Sequence, residues 1–287
     1  MSGAVQAGYA PPTGPDAPAP TRRRRWLLAA SVAWALLLGV LAWISVRDDP
    51  PSVREQRSLG EAGPVVDRAI GELAAAAGGT AVWELTPARV DRGCRITPFA
   101  DGATLTRGVD VAVPEGGERE LLERIADRLP AGWRAGVRTT PDGLRLRADV
   151  GEFVAVDGRP GDDGWVRIIV RTGCRLVGAG YAPTTGPAGA ETVALADALR
   201  ALGQPGPATP ELVSAPCPGG GVARTARAAE VAAGSTDPAA ALATLATGGP
   251  VLDTPDVYAY RTGPVTVLAD ARADHSRLTA THPCPTP

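Results

Sequence analysis

The amino-acid sequence predicts an α+β protein: a single N-terminal transmembrane helix, then an exported region of two similar helix-on-sheet units, each with one disulfide. Three observations support this fold class. An apolar run follows four consecutive arginines, the order of helix-like and strand-like patterns recurs along the rest of the chain, and four cysteines fall at matching places in the two copies. Helices that cover one face of a sheet are typical of α+β domains.

The N-terminal segment predicts a membrane anchor. Residues 1–25 begin with a Pro-, Gly- and Ala-rich stretch that predicts a disordered tail. Residues 26–46 carry no charge, and 21 residues at about 1.5 Å each span roughly 32 Å, the thickness of a hydrocarbon core. Trp26 and Trp43 lie near the two ends, where tryptophans favour the membrane interface. We therefore predict a transmembrane helix over residues 26–46.

The charges that flank this run predict its orientation. Four arginines precede it, whereas the other flank reads Arg-Asp-Asp. Basic flanks stay in the cytoplasm, so we expect a cytoplasmic N-terminus, a cell-membrane location and an extracytoplasmic bulk. The alternative is a cleaved signal peptide, but the apolar run is longer than usual for one and no small-x-small cleavage site follows it. The flanking basic residues are Arg22, Arg23, Arg24 and Arg25.

Residues 47–63, which are polar and contain two adjacent prolines, predict a stalk. A first α+β unit is then expected over 64–178, with helices from Pro64 to Gly78 and from Glu118 to Leu129. The expected strands cover 88–97, 104–113, 133–139, 144–150, 153–156 and 165–176. We expect hairpin turns at Asp101-Gly102 and at Pro141-Asp142-Gly143, and a glycine-rich turn over Gly158–Gly164.

A linker over 179–189 and a second, shorter unit over 190–287 complete the prediction. Its helices cover 191–202 and 238–247, with Asp237 as the N-cap of the second helix. Its strands cover 222–231, 258–261, 265–271 and a final run from Arg277. This copy is expected to lack one hairpin of the first. Chance recurrence of helix and strand patterns is the alternative.

The cysteines support the duplication. Four cysteines in an exported region predict disulfides, and the repeat selects one of three connectivities, Cys94 with Cys174 and Cys217 with Cys284. Each bridge would join the first strand of its unit to the last. A zinc site is the alternative, but the chain has no C-x-x-C pair and only two histidines, so we expect no metal.

Composition excludes several kinds of chemistry. Every one of the 29 basic residues is arginine, so lysine-dependent sites such as a P-loop or a Schiff base are absent. From Arg47 onward, 25 arginines stand against 30 acidic residues, a net charge of about −5. This balance gives no basic footprint for nucleic acid. We expect no cofactor, because Gly219-Gly220-Gly221 lacks the strand and helix context of a dinucleotide loop.

The remaining chemical candidates are few. Asp91 and Asp110 are the carboxylates that we consider for a hydrolase, provided that the fold brings them together. His275 and His282 are seven residues apart, and we interpret them as surface residues. Asp162-Asp163 predicts a solvated turn rather than a calcium site, because no further ligands follow at regular spacing. Trp83, Trp133 and Trp165 are interpreted as core or sheet-face residues.

Three features of the chain carry a resemblance to known proteins. They are the arginine-only set of basic residues, the order of tail, anchor and stalk, and the paired strand ends Thr-Gly-Cys and His-Pro-Cys. The chain resembles the uncharacterised single-pass envelope proteins of high-GC actinobacteria in its whole layout. The resemblance implies a cell-surface location, implies no activity and assigns no functional residue.

The sequence therefore favours a non-enzymatic, membrane-anchored protein whose exported region binds another envelope component or a protein. The alternative is a membrane-tethered hydrolase that uses carboxylates. A deep pocket with converging carboxylates would favour the hydrolase, and a shallow exposed surface would favour binding. A signalling receptor is a weaker interpretation, because the predicted 25-residue cytoplasmic part is too short for an output domain.

Overall fold

A computed structural model describes residues 21–48, 57–161, 164–184, 186–204, 209–228, 237–271 and 277–285. The chain divides into two units, Met1–Ser52 and Val53–Pro287. Most of the predicted tail, residues 1–20, and part of the predicted stalk, residues 49–56, lie outside the described residues.

The N-terminal of these two units, Met1–Ser52, contains one long helix, α1 (Thr21–Asp48, 28 residues). Its most apolar stretch, Trp26–Ile44, has a mean hydropathy of 2.3, and none of the side chains along it is buried. The length and composition of this stretch fit a membrane span. The prediction of an apolar N-terminal helix is therefore confirmed.

The second unit folds as two repeats. The first repeat consists of α2 (Leu59–Ala77), β1 (Val82–Thr97), β2 (Ala100–Ala112), α3 (Glu118–Arg128), a 3-10 turn (Ala131–Trp133), β3 (Gly136–Thr140), β4 (Gly143–Gly151), β5 (Val154–Pro160) and β6 (Trp165–Thr172). The second repeat consists of α4 (Ala190–Ala201), β7 (Glu211–Pro216), β8 (Val222–Ala228), α5 (Pro238–Leu242), β9 (Pro250–Asp253), β10 (Val257–Thr262), β11 (Val265–Asp270) and β12 (Arg277–His282).

The two antiparallel sheets have the same strand order. It is β1-β2-β6-β5-β4-β3 in the first repeat and β7-β8-β12-β11-β10-β9 in the second. The predicted duplication is confirmed, but the prediction that the second copy lacks a hairpin is wrong. Two strands are missing from that prediction: β7, a six-residue strand that ends at Pro216, and β9, a four-residue edge strand that begins at Pro250 and is too short to show an alternating pattern.

Two local predictions in the first repeat are also wrong. α2 begins at Leu59 rather than at Pro64, because Ser58 and Glu61 form a capping box in which the Ser58 N–H donates to Glu61 Oε2 at 2.8 Å. The last residues of the predicted stalk therefore belong to α2. Asp101-Gly102 lies within β2, because Thr97 pairs with Ala100 and the hairpin turns at Pro98-Phe99.

The glycine-rich turn is shorter than predicted. β5 continues to Pro160, so only the residues that follow it form the connection to β6. Two of these residues, Asp162 and Asp163, lie outside the described residues.

Both predicted disulfides are present. Cys94 is bonded to Cys174 and Cys217 to Cys284, with Cα–Cα distances of 5.9 and 5.7 Å. Cys94 lies in β1 and Cys217 directly follows β7, whereas their partners follow β6 and β12. Each bridge therefore joins the first and last strands of its repeat, as the sequence predicts.

Each sheet packs its helices on one face. The predicted apolar stripe of α2, Val66, Ile70, Leu73 and Ala77, is buried against the first sheet together with side chains from α3. In the second repeat, Leu195 and Leu199 of α4 and Leu242 of α5 are buried against the second sheet. These helix-covered faces form the main hydrophobic cores of the two repeats.

The two repeats also contact each other. The Leu85 N–H donates to Thr225 Oγ1 at 3.0 Å, and the Leu85 carbonyl accepts from Arg227 Nη1 at 3.2 Å, so side chains of the second sheet satisfy the open edge of β1. A separate apolar cluster spans the same interface. It contains Val82, Ala112 and Trp165 of the first repeat with Val257, Ala259 and Leu268 of the second.

The predicted linker over 179–189 packs onto α2. Tyr181 Oη donates to Asp67 Oδ1 at 2.7 Å, and Asp67 also forms a buried ion pair with Arg107 of β2. Arg107 Nη2 donates to the Ser214 carbonyl at 2.8 Å. These hydrogen bonds and the ion pair therefore join the linker and both repeats through one buried cluster of polar side chains.

Candidate functional site

One transverse row of the first sheet carries arginine on four successive strands. The register places Arg138 opposite Arg145 and Arg159 opposite Arg167, and the Leu146–Gly158 pair brings Arg145 next to Arg159. Adjacent strands lie about 4.8 Å apart, so the row extends over roughly 14 Å. We call Arg138, Arg145, Arg159 and Arg167 the arginine row.

The arginine row lies on the sheet face opposite the helices. In β4, Leu146 and Ala148 point into the core, so Arg145 and Arg147, which alternate with them, point the other way. Arg138, Arg159 and Arg167 are exposed, and Arg145 is partly exposed. The row is therefore open to solvent along its length.

A cavity lies at the β3 end of the row. It has a volume of about 380 Å³ and is lined by Arg134, Gly136, Arg138, Thr140, Arg145 and Arg147. No atom lies within 4 Å of the position that a Cβ on Gly136 would take. The missing side chain at Gly136 leaves space between the guanidinium groups, and we call this cavity the arginine pocket.

The arginine pocket has more positive than negative charge. Arg145 Nε lies 3.8 Å and Arg147 Nη2 3.5 Å from Asp157 Oδ2, and Arg134 Nη2 lies 3.8 Å from Asp149 Oδ2. Arg138 has no carboxylate partner among the described residues. Like charges directly opposite each other on neighbouring strands destabilise a sheet, so the stability of the fold does not account for the Arg138–Arg145 pair.

The same transverse row continues into two buried carboxylates. Asp110 lies opposite Arg167, and Glu84 lies opposite Asp110. Arg277 of the second repeat reaches both carboxylates, with its Nη1 2.9 Å from Glu84 Oε1 and 3.8 Å from Asp110 Oδ2. Arg227 Nη1 lies 3.6 Å from Glu84 Oε1.

We call Glu84, Asp110, Asp270, Arg227 and Arg277 the interface ion cluster. Arg277 Nε lies 3.4 Å from Asp270 Oδ2, and its guanidinium carbon lies 4.5 Å from the centre of the Trp165 ring. Burial raises the pKa of Glu84, an effect that Arg277 and Arg227 oppose and that Asp110 reinforces. The three carboxylates are nearly or fully buried, which leaves no opening for a substrate to reach them.

The two carboxylates considered for a hydrolase do not meet. Asp91 lies opposite Thr104, six residues along β2 from Asp110, a separation of about 20 Å. Asp91 is exposed and lies 2.9 Å from Arg89, whereas Asp110 belongs to the interface ion cluster. The structure therefore does not assemble this pair into an acid–base site.

The other candidate residues occupy separate places. His282 Nδ1 lies 3.0 Å from the Pro283 carbonyl oxygen at the end of β12, and His275 lies outside the described residues. Trp83 and Trp165 are buried, and Trp133 is partly buried. Among the described residues, no group of three or more His, Cys, Asp or Glu side chains is arranged to hold a metal ion.

Sequence reasoning missed the arginine row. A signal for part of it exists, because Arg145 and Arg147 alternate with Leu144 and Leu146 in a strand whose hairpin turn is predicted. Alternation of this kind places both arginines on one face. The alignment of four strands into one row depends on the register of the whole sheet, which the sequence pattern does not specify.

Comparison of the chain with protein-family models, with curated proteins and with solved structures finds no match.

Proposed function

We propose that this chain is a single-pass membrane protein with a cytoplasmic N-terminus, whose exported two-repeat region binds a polyanionic component of the cell envelope. The observation that carries the proposal is the solvent-open arginine row, which ends in a pocket where four arginines face two aspartates. The apolar helix α1 and the two disulfides support the exported location.

The side chains of the pocket suit binding better than catalysis. A guanidinium stays protonated at all physiological pH values, so it does not act as a general acid or base. Its planar set of N–H donors matches carboxylate and phosphate oxygens in a two-point contact. The arginine pocket therefore provides recognition of an anionic group without a proton-transfer residue.

The geometry favours an extended ligand with several charges. The four arginines lie on adjacent strands about 4.8 Å apart, so they form a line rather than a single enclosed point. Arg167, at one end of the line, is paired with Asp110 at 3.3 Å. The two-repeat region has an excess of acidic residues overall, so attraction of an anion depends on local clusters of arginine such as this row. A polymer with regularly spaced phosphate or carboxylate groups has the charge pattern that fits it.

The test is a binding measurement on the full chain in uncharged phosphatidylcholine nanodiscs. The probes are fluorescent polyphosphate and polyglutamate, with dextran as the neutral polymer. We expect both anionic probes to bind, with an affinity that falls as the salt concentration rises, and dextran not to bind. The double variant R138Q/R145Q should weaken binding of the anionic probes at least tenfold.

Two further variants separate the pocket from a general charge effect. R119Q/R124Q removes the same charge from α3, on the opposite face of the sheet, and should leave the affinity within about twofold. G136V keeps every charge but fills the pocket, so it should weaken binding of the anionic probes. Equal losses in R138Q/R145Q and R119Q/R124Q, or no binding of either anionic probe to the unmodified chain, would contradict the proposal.

A further inference from the structure

The β1–β2 hairpin extends beyond its sheet as a two-stranded ribbon. β2 pairs with β6 only from Thr106 to Ala112, whereas β1 and β2 stay paired as far as Thr97 and Ala100. Pro98 and Phe99 form the turn between the two strands. Apart from one bridge at Ala103, no third strand of the described residues supports the ribbon.

The ribbon is braced at its base. Cys94 of β1 is disulfide-bonded to Cys174, and Ala103 of β2 exchanges two backbone hydrogen bonds of 2.8 and 3.0 Å with Arg175. A Cβ on Gly102 would lie 2.6 Å from the Arg175 carbonyl oxygen and 2.8 Å from Cys174 Sγ, so this close approach requires glycine. The tip projects from a covalently fixed base.

The tip itself is apolar. Phe99 is 100% exposed and is one of only two phenylalanines in the chain; the other, Phe153, is 43% exposed. Removing such a side chain from water is favourable, a gain that the isolated chain does not realise at Phe99. The exposed residues Arg92 and Arg95 lie on the ribbon behind it, and Arg95 Nε is 4.0 Å from the exposed Asp101 carboxylate. An aromatic tip with guanidinium groups behind it has the composition of a segment that lies at a lipid–water boundary.

The connectivity of the chain brings this ribbon within reach of a membrane. Arg175 Nη1 donates to the Arg57 carbonyl at 3.0 Å, so the two-repeat region begins beside the base of the ribbon. Nine peptide links separate Arg57 from Asp48, the last residue of α1. Even a fully extended chain of that length spans only about 32 Å.

We infer that the hairpin tip inserts Phe99 into the surface of the bilayer that holds α1, with Arg92 and Arg95 at the phosphate headgroups. This inference rests on the anchored topology proposed above. The short connection favours lipid over a protein partner as the occupant, because it keeps the ribbon base near the bilayer whatever else the chain binds.

The test is photo-crosslinking of the full chain in cell membranes. Phe99 is replaced with p-benzoylphenylalanine in one sample and Phe153 in the matched control, and both are irradiated. Mass spectrometry then identifies the adducts. We expect lipid adducts at position 99 at a level at least tenfold above those at position 153, with both disulfides intact in the two samples.

The outcomes separate this inference from the proposed function. A membrane-bound chain with protein adducts at position 99, or with no adduct there, would overturn the inference and leave the anchored topology standing. Recovery of the unmodified chain from the soluble fraction would overturn the anchored topology, and the inference with it.

Discussion

The Glu84 carboxylate of the first repeat lies 2.9 Å from the Arg277 guanidinium of the second. Glu84 is fully buried, and two further carboxylates and two guanidinium groups share its surroundings. Arg277 therefore compensates charge at the centre of the contact between the repeats. The same transverse row is basic and open at one end and acidic and enclosed at the other, so the binding that we propose would use one end, whereas the other end holds the repeats together.

Replacing Arg277 with methionine should strongly destabilise the two-repeat region. The variant leaves Glu84, Asp110 and Asp270 buried with one fewer cation, and breaking such a buried pair costs about 3–5 kcal/mol. Urea unfolding in mild detergent, followed by tryptophan fluorescence, measures the loss. The control R200M removes an exposed arginine paired with Asp197 and should change stability by less than about 0.5 kcal/mol. A loss below about 1 kcal/mol for R277M would contradict the assigned role.

The pH dependence of stability should reveal Glu84. Burial raises its pKa in the folded state, so the folded chain holds this proton more tightly than the unfolded chain. The contribution of Glu84 to the free energy of unfolding is therefore most favourable below the ordinary pKa of 4.5 and declines as the pH rises above it. Relative to E84Q, the unmodified chain should lose stability between pH 4 and pH 8, which urea unfolding at a series of pH values measures.

Glu61 provides a control of opposite sign. Hydrogen bonds from Ser58 lower the pKa of Glu61, so its contribution is present above the ordinary pKa and is lost as the pH falls. Relative to E61Q, the unmodified chain should gain stability over the same rise in pH. Each comparison gives a difference in the free energy of unfolding between the unmodified chain and its variant, plotted against pH. If this difference changed with pH in the same direction for E84Q and E61Q, the assignment of Glu84 as a carboxyl with a raised pKa would be wrong.

Local sequence patterns predicted the repeat well and the arginine row poorly, for a physical reason. The disulfide pairing follows from the recurrence, since Arg167 and Arg277 each precede a cysteine by seven residues. By contrast, the arginine row depends on the exact registers of the β3–β4, β4–β5 and β5–β6 pairs, which the residue pattern does not specify. Its continuation into Asp110 and Glu84 depends on β6 pairing with β2, a strand distant in the chain. The Ser58–Glu61 capping box is a local signal that the prediction overlooked in favour of Pro64.

Neutralising Asp157 should strengthen the binding of anionic polymers. Asp157 lies 3.8 Å from Arg145 and 3.5 Å from Arg147, and it therefore competes with a ligand for both guanidinium groups. Each partly exposed ion pair contributes up to about 1 kcal/mol, so D157N should raise the affinity for polyphosphate roughly threefold or more. The nanodisc binding measurement checks this. D197N, which removes an equivalent charge from α4, should leave the affinity unchanged, and a weaker affinity for D157N would argue against the pocket as the binding site.

Replacing Gly71 with alanine should destabilise the contact between the repeats, although alanine favours a helix over glycine by about 1 kcal/mol. A Cβ at this position of α2 would lie 1.7 Å from the Pro216 carbonyl oxygen at the end of β7, which no rotamer change can relieve. Overpacking of this kind costs about 1–3 kcal/mol, and here it should exceed the gain in helix propensity. Thermal unfolding in mild detergent should show a Tm for G71A several degrees below that of the unmodified chain. The control G132A adds a methyl group where no atom lies within 4 Å and should leave the Tm nearly unchanged. An increase in Tm for G71A would show that α2 and β7 are not in the close contact described. Only a loose contact would let the gain in helix propensity exceed the cost of overpacking.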